Sequence, residues 1–356
     1  MPTRIVACLM VMSLAPLPAV SEEAPQPPPA PKWYDTFELH GLVDAYYSAN
    51  LDQAQGTPNA LRAFDLTNGF QLSYAKLIAQ LTPPKPFSAG FRADVGFGQT
   101  ASVLRFKSTP SSGDVVVQQA FVSYALPGGL VLDGGKFVTN AGAEVIEAKD
   151  DWLYSRSLLF AFAIPFTHTG VRATIPVPGV AGLSVMATVF NGWDNPPKQV
   201  GPQKTGHLAF LYSGPSSTTL TLNAFYGRNP SENDERLLLD GVAARSFGPL
   251  SLNVNGDYGR LGGASYWGIS AMARLALARD RLRVGVRGEY LDDSDGLQVA
   301  PPVGNRYWEG TLGLSVPLGR NTELRLEGRH DRARRGDLTP GHRYQTTLQA
   351  AALAWF

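Results

Sequence analysis

Cysteine is nearly absent from this chain of 356 residues, because Cys8 is the only one. A fold held together by disulfide bonds is therefore excluded, and so is a zinc site built from several thiolates. Charge of one sign is not in excess either, since the chain has 31 basic and 30 acidic residues. This balance gives no indication of nucleic acid as a partner.

Long apolar runs are also missing after the first 21 residues, where no stretch approaches the roughly 18 consecutive apolar residues of a membrane-spanning helix. Residues 1–21 themselves have the layout of a cleaved secretory signal. Arg4 precedes an apolar run over residues 5–15, and the small residues Ala19 and Ser21 follow it. We expect cleavage after Ser21, which removes Cys8 from the mature chain.

The next segment, residues 22–35, is predicted to be a proline-rich periplasmic leader. Its prolines are Pro25, Pro27, Pro28, Pro29 and Pro31. Proline has no backbone N–H, so this stretch cannot join a sheet ladder and is expected to be extended. Residues 36–356 are then predicted to form a single domain.

Apolar and polar residues alternate through that domain in runs of about 9 to 13 residues, each closed by Gly, Pro, Asn, Asp or Ser. In residues 87–97, for example, Phe91 and Val95 lie on one face of an extended chain, whereas Arg92 and Asp94 lie on the other. A soluble β-sandwich could also produce this alternation, because it buries one face and exposes the other to water. Further features are needed to decide between a soluble β-sandwich and a membrane β-barrel.

We predict an all-β fold, an antiparallel transmembrane barrel of about 16 strands, with 14 or 18 as alternatives. The strands are expected near residues 36–48, 69–82, 87–98, 114–126, 130–140, 167–177, 183–193, 206–213, 218–228, 236–247, 250–260, 266–278, 282–292, 306–318, 322–332 and 342–356. The weakest predictions are 130–140, which is rich in Gly, and 236–247. In the second, the alternation does not show which residues around Asp240 face outward. An even number of strands places both ends of the barrel in the periplasm.

Three features favour a membrane barrel over a sandwich. Connections between the runs alternate between short and long, as in barrels with short periplasmic turns and longer outer loops. Aromatic residues on the apolar face gather where the strands meet the long loops, which is typical of a membrane-interface girdle; they are Tyr47, Phe97, Tyr226, Tyr258, Trp267, Tyr290 and Trp308. Finally, the last run ends in Phe356, which resembles the terminal signal of barrels inserted by the outer-membrane assembly machinery.

A family resemblance is carried by several segments between residues 70 and 195. They are 90–101 (GFRADVGFGQTA), 119–124 (QAFVSY), 135–139 (GKFVT), 144–147 (EVIE), 154–160 (YSRSLLF), 164–172 (IPFTHTGVR) and 191–195 (NGWDN). The chain resembles the putative β-barrel porin-2 family, also called OmpL-like, in these motifs and more loosely toward its C-terminus. The resemblance implies a channel-like barrel in the outer membrane of a Gram-negative-type bacterium.

A barrel of this size is too wide for side chains to fill, so its polar face should surround water. We expect the charged residues of that face to line a pore: Arg92, Asp94, Arg172, Arg283, Arg287, Glu289, Arg325, Glu327 and Arg329. The alternative is a ladder of structural ion pairs that has no role in selectivity.

Residues 141–166 form the longest stretch without alternation after the leader, and they follow the fifth predicted strand. General porins fold their third loop into the lumen, and by this analogy alone we expect a constriction loop. Its charged residues are Glu144, Glu147, Asp150, Asp151 and Arg156. Acidic groups opposite a basic wall would select polar solutes by a transverse field. A solvated outer loop and a plug that closes the pore are the alternatives.

Three patterns in the sequence resemble catalytic or metal-binding motifs, but their context does not support those functions. The glycines of residues 96–101 fit a loose dinucleotide pattern, but no helix pattern is evident after them, so we expect them to relieve crowding at a strand end. Ser73 and Lys76 have a serine/lysine acylase spacing, but positions three apart on a strand should face opposite sides. The His residues show no paired metal spacing, whereas Asp292, Asp293 and Asp295 were considered for Ca²⁺. We predict no enzyme, no cofactor and no resident metal.

The predicted function is passive diffusion of small hydrophilic solutes through an outer-membrane channel. The alternative is a closed barrel with a structural or adhesion role. Expected partners are outer-membrane lipids and lipopolysaccharide, the assembly machinery through Phe356, and the small solutes. Nucleic acid is not expected. A homotrimer is a candidate assembly because trimers are common among porins.

Overall fold

The computed structural model describes residues 32, 34–52, 58–108, 115–194, 202–228, 234–299 and 304–356. The chain divides into two compact units, Met1–Asp35 and Thr36–Phe356. The predicted signal, residues 1–21, lies outside the described residues, and so does nearly all of the predicted leader, of which only Lys32, Tyr34 and Asp35 are described. The second unit contains the whole sheet.

That sheet is a closed antiparallel barrel in which each strand pairs with the next and the last pairs with the first. Its sixteen strands are β1 (Phe37–Asn50), β2 (Gly69–Leu81), β3 (Ser88–Phe97), β4 (Val115–Ala125), β5 (Val131–Val138), β6 (Thr167–Pro176), β7 (Leu183–Phe190), β8 (Thr205–Gly214), β9 (Thr218–Gly227), β10 (Arg236–Phe247), β11 (Leu250–Leu261), β12 (Ala264–Leu277), β13 (Leu282–Asp293), β14 (Asn305–Pro317), β15 (Thr322–Ala333) and β16 (Tyr344–Trp355). The prediction of a 16-stranded all-β barrel is confirmed, and every predicted strand is present, including the two weakest.

The alternation of the sequence corresponds to the two surfaces of the wall. Leu252 and Val286 are 40% and 44% exposed on the outside, whereas Asp240, Arg287 and Arg329 are buried on the inside. Closing the sheet leaves no unpaired strand edge, which is a requirement in a solvent that offers no hydrogen bonds.

The two ends of the barrel differ in their connections. At one end, called the turn end, short turns join β2 to β3, β4 to β5 and the following alternate pairs, and Phe37 and Phe356 lie there. The other end, called the loop end, carries the longer connections, except that only Gly262 and Gly263 separate β11 from β12. Within the described residues, no helix is long and apolar enough to cross a membrane.

The aromatic residues of the predicted girdle lie on the outer surface near the loop end. Trp267, Tyr290 and Trp308 are neighbours on three successive strands, with ring centroids 5.2 Å and 5.5 Å apart. Trp267 and Trp308 are exposed, as aromatic rings at a membrane interface are.

One helix was missed by the sequence prediction. The helix α1 (Gln99–Ser108) follows β3 directly and buries Ala101 and Leu104 against the inside of the wall. The expectation that no helix follows the glycines at 96 and 98 is therefore wrong. The following strand β4 returns antiparallel to β3, so the βαβ unit of a dinucleotide site is not formed.

Crowding explains one of these glycines. A Cβ at Gly96 would lie 2.2 Å from the ring of Tyr74, so only glycine fits there. Gly98 has φ of +113°, a conformation that glycine adopts without strain. Gly96 therefore makes room for the Tyr74 ring, and Gly98 allows the turn from β3 into α1.

Candidate functional site

The connection between β5 and β6, residues 139–166, lies inside the barrel, and we call it the crossing loop. Its second half is apolar and buried, with Leu158, Leu159, Ala163 and Ile164 almost inaccessible to solvent. A single π-helical turn, Leu159–Ala163, packs against β11 and β12. The structure thus places this segment inside the barrel and buries its apolar half.

The first acidic residue of the loop binds the wall directly. One carboxylate oxygen of Glu144 accepts a hydrogen bond from Arg287 on β13 at 2.8 Å, and the other accepts one from the backbone N–H of Ser157 at 2.7 Å. Arg287 also pairs with Glu289 at 2.9 Å and with Glu309 on β14 at 3.0 Å. This buried guanidinium is therefore the centre of a network of three carboxylates.

Three predicted pore-lining residues of β15 bind the backbone of the crossing loop. Glu327 accepts hydrogen bonds from the N–H groups of Tyr154 at 2.6 Å and Ser155 at 3.1 Å. Arg325 donates to the carbonyl oxygen of Leu153 at 3.1 Å, and Arg329 donates to that of Arg156 at 2.5 Å. A loop without regular structure thus has its buried polar groups satisfied by the wall.

The loop is also held by β1, β2 and β4, which continue the same part of the ring beyond β16. The Lys76 ammonium on β2 bridges Asp94 on β3, at 2.7 Å, and the Glu147 carboxylate. Gln118 donates to Glu147 at 2.9 Å. Burial acts to raise the pKa of Glu147, but Lys76 and Gln118 outweigh it and hold that pKa below its ordinary value.

Further contacts extend the attachment around the barrel. The Tyr154 hydroxyl donates to Asp44 on β1 at 2.9 Å, and Asn140 donates to Asn223 on β9 at 3.2 Å. The crossing loop is therefore attached to walls on several sides of the lumen, not along one side only.

The remaining charges of the loop have different surroundings. Asp151 and Arg156 are buried and pair with each other at 3.1 Å, which ties the loop to itself. Asp150 is exposed and pairs with Lys149 at 2.7 Å, so it does not join the groups that bind the wall. Glu144 and Glu147 contact their basic partners directly; the expected arrangement, acids facing bases across an open passage, is not observed at these two positions.

A second inward loop was not predicted. Residues 58–68, between β1 and β2, also enter the barrel, where Arg62 pairs with Asp331 on β15 at 2.5 Å. Phe64 packs on Phe160 and Phe166 of the crossing loop at 5.9 Å and 5.5 Å. The sequence signal was the cluster of apolar residues at 61, 63, 64 and 66, which breaks the alternation.

Four arginines of the inner wall lie away from the crowded loop end. Arg92, Arg172 and Arg283 retain 30%, 18% and 26% of their side-chain exposure and pair with Asp94, Asp133 and Glu323. Arg274 on β12 lies over the ring of Trp152 at 5.1 Å and has no ion pair within the described residues. Sequence parity could have identified Arg274, because it shares the inward face of β12 with Tyr266 and Ser270.

The prediction that Ser73 and Lys76 face opposite sides of their strand is wrong. A β-bulge in β2 shifts the register between Asp44 and Ala45 of the paired strand, so Ser73 and Lys76 are both buried on the inner side. They have separate partners, however: Ser73 contacts Thr100 at 3.3 Å, whereas Lys76 binds carboxylates.

The three aspartates considered for Ca²⁺ hold the local backbone instead. Asp293 accepts hydrogen bonds from the N–H groups of Leu297 at 2.8 Å and Val299 at 2.9 Å. Asp292 pairs with Arg306 at 2.8 Å, and Asp295 accepts from the N–H of Ser265 at 2.8 Å. In the part of the chain that the structure describes, no group of three or more His, Asp or Glu residues is placed to hold a metal ion.

Comparison with known proteins identifies a family whose model matches this chain. The family model described as "Putative beta-barrel porin-2, OmpL-like" matches residues 36–356, which is the entire barrel. No curated protein matches the chain.

Among solved structures, an anion-selective porin from Comamonas acidovorans is 15% identical, with a TM-score of 0.61, over 90% of this chain and 99% of that one. OmpT of Vibrio cholerae in a trimer form is 13% identical, with a TM-score of 0.58 and coverages of 90% and 99%. The outer membrane channel DcaP of Acinetobacter baumannii is 10% identical, with a TM-score of 0.59 and coverages of 90% and 97%. At these identities the likeness concerns the fold.

Proposed function

The chain belongs to the putative β-barrel porin-2, OmpL-like family and is an outer-membrane channel protein of a Gram-negative-type bacterium, and from this premise we propose that its crossing loop narrows the path of small hydrophilic solutes. Diffusion is passive, since a barrel wall with an aqueous interior needs no moving part to conduct. The channel performs no catalysis.

The observation that carries this proposal is that the crossing loop is attached to several parts of the barrel wall. Glu144 and Glu327 fix it to the β13–β15 side, while Lys76 and Asp44 fix it to the β1–β2 side. The loop leaves the wall at β5 and β6 and binds β13, which lies eight strands from β5 in the ring of sixteen, so it crosses the lumen and reduces the free cross-section. Its ion pairs also keep the constriction at one width, because each end is tied to a rigid strand.

The solutes that fit best are small anions. Arg92, Arg172, Arg274 and Arg283 keep access to water on the inner wall, and Arg274 has no ion pair within the described residues. A low-dielectric wall that carries such groups attracts anions and repels cations. The Comamonas porin of similar fold is itself called anion-selective.

The decisive experiment removes the crossing loop while keeping the barrel. Val138 and Thr167 pair directly across β5 and β6, so residues 139–166 can be replaced by a two-residue Asn-Gly hairpin turn. We expect the single-channel conductance in planar bilayers to rise several-fold over the wild type. Heat-modifiable electrophoretic mobility would confirm that the variant has folded as a barrel. An unchanged conductance would contradict the constriction.

A second candidate is a barrel closed at its loop end, with a structural or adhesion role. One observation favours it: the two inward loops meet in an apolar cluster that includes Phe64, Phe160 and Phe166, and such a cluster excludes water. The same pair of proteins separates the candidates. A closed barrel gives no conductance in the wild type and conducts only after the loop is replaced.

Processing and partners complete the proposal. Residues 1–21 are removed as a secretory signal, residues 22–35 remain as a periplasmic leader, and residues 36–356 form the barrel. The assembly machinery binds the last strand through Phe356, and outer-membrane lipids and lipopolysaccharide surround the wall. A homotrimer is the proposed assembly, supported by the trimer form of the similar OmpT from Vibrio cholerae.

A further inference from the structure

An open groove of about 540 Å³ lies on the outer side of the wall at the loop end of β14 and β15. Arg332, Arg334 and Arg343 contribute three guanidinium groups to its lining, and Trp308 and His330 contribute aromatic rings. The register explains the gathering, because Arg332 is paired with Trp308 on β14 and with Tyr344 on β16. Alternating positions of β15 place His330 and Arg332 on the same, outward face, and the exposed Arg334 follows the end of the strand directly.

These three arginines have no carboxylate within salt-bridge distance in the described part of the chain. Arg343 donates only to the carbonyl oxygen of Arg334, at 3.3 Å. The neighbouring Arg306 differs, because its charge is neutralised by an ion pair with Asp292 at 2.8 Å. Glu309 also belongs to the lining, but its carboxylate pairs with Arg287 on the inner side of the wall. The three arginines therefore repel one another and favour an anionic ligand.

The surroundings of the groove indicate that this anion has an apolar part. Directly below it on the same face lie Leu326 on β15, Leu348 on β16 and Leu312 on β14, all exposed on the outer wall. Trp308 and the stacked pair of His330 and Tyr344 mark the boundary between the polar and apolar zones. A soluble anion would have no use for this apolar strip, whereas a lipid would occupy both zones.

We propose that Arg332, Arg334 and Arg343 form a binding site for the phosphate groups of a phosphorylated glycolipid of the outer leaflet. The acyl chains of this lipid lie along the leucines of β14, β15 and β16. Bidentate contacts between guanidinium groups and phosphate oxygens give the recognition, and His330 and Trp308 pack against the sugar of the headgroup. The site deepens the proposal that lipopolysaccharide is a partner, and it rests on the membrane position of the barrel, not on what passes through the lumen.

The first test uses the wild-type protein in detergent. Binding of lipid A with two phosphates is measured by native mass spectrometry and by thermophoresis, beside lipid A from which both phosphates have been removed. We expect the phosphorylated form to bind about a hundredfold more tightly. Equal affinity for the two forms would overturn the proposal without any need for a variant.

The second test locates the site. The triple variant Arg332→Gln, Arg334→Gln, Arg343→Gln should lose most of this preference, whereas a control with the same loss of charge elsewhere, Arg260→Gln, Arg279→Gln, Arg281→Gln, should keep it. The control residues are exposed and lie outside the groove. If both triple variants bind like the wild type, or both lose binding equally, the groove is not the site.

A third arm separates a lipid from a free anion. Inorganic phosphate at millimolar concentration should not displace the lipid, because it lacks the acyl chains; complete displacement would show a simple anion site and overturn the assignment to a lipid. Planar-bilayer conductance is recorded for the same variants. The triple groove variant should conduct like the wild type, so a failure of the lipid site is distinguishable from a failure of the channel proposal.

Discussion

Arg287 on β13 and Glu144 in the crossing loop form an ion pair of 2.8 Å, although 143 residues separate them in the chain. Both side chains are buried, and Arg287 binds two further carboxylates, Glu289 and Glu309. One guanidinium thus joins the start of the crossing loop to two strands of the wall. This contact is one of several charged contacts that fix the position of the loop, together with those of Lys76, Glu327 and Arg329.

Neutralising Glu144 should loosen the crossing loop. In Glu144→Gln the charge-assisted hydrogen bond to Arg287 is lost, which we expect to cost about 1.5 kcal/mol and to raise the population of displaced loop states about tenfold. Single-channel recordings should therefore show more frequent steps to a larger conductance. Asp150→Asn is the matched control, because Asp150 is exposed and pairs only with Lys149 among the described residues. An equal frequency of these conductance steps in both variants would show that Glu144 does not anchor the loop.

Acid should release the other side of the loop. The pKa of Glu147 lies below its ordinary value of 4.5 in the folded protein, so its pairing with Lys76 stabilises the fold fully above pH 4.5 and is lost as the pH falls through the lowered pKa. We expect a step in channel noise only below pH 4.5, and we expect it to be absent in Glu147→Gln. A step that persists in that variant would assign the transition to other carboxylates.

Selectivity should respond to Arg274. Arg274→Gln removes a lumen-facing cation that has no ion pair within the described residues, so the reversal potential in a potassium chloride gradient should move toward the cation side. Arg281→Gln, in the exposed turn between β12 and β13, serves as the control and should leave the reversal potential nearly unchanged. Identical shifts in the two variants would mean that total charge, not a position in the lumen, sets the potential.

Lipid contact can be tested on the outer face with two leucines of equal exposure. Leu326, near the middle of β15, is 59% exposed, and Leu318, in the turn after β14, is 60% exposed. Leu326→Arg should destabilise the barrel by about 2–4 kcal/mol in vesicles, because it places a cation at mid-membrane depth, whereas Leu318→Arg should cost only about 0–1 kcal/mol. Urea unfolding monitored by tryptophan fluorescence measures both. Equal costs would mean that the two positions lie at the same depth.

The strands could be predicted because each of them alternates between two solvents. Phe91, Leu252 and Val286 follow a period of two, and a shift by one residue would turn every leucine of a strand into the lumen. Local sequence therefore contains enough information to fix which residues face outward. The same period correctly assigned the inward face to Arg92, Arg287 and Glu327.

Sequence patterns did not predict α1, the inward position of residues 58–68 or the individual contacts of the crossing loop. The helix α1 and the inward position of residues 58–68 depend on partners far away in the chain, such as Asp331, which binds Arg62 across 269 residues. The bulge at Ser73 reverses the parity of part of β2 without any glycine or proline to announce it. That Asp150 stays outside the loop's contacts while Glu144 and Glu147 bind the wall likewise depends on how the loop turns, which charge patterning alone does not specify.

The first and last strands of the barrel meet at a seam. The N–H of Gly41 donates to the carbonyl oxygen of Phe356 at 3.1 Å, and Ser48 is in register with Gln349, some three hundred residues later in the sequence. Until the final strand is in place, β1 has no neighbour on one side and exposes a row of unsatisfied backbone groups. The barrel therefore closes only when β16 pairs with β1, and a chain that lacks β16 can form an open sheet but not a channel.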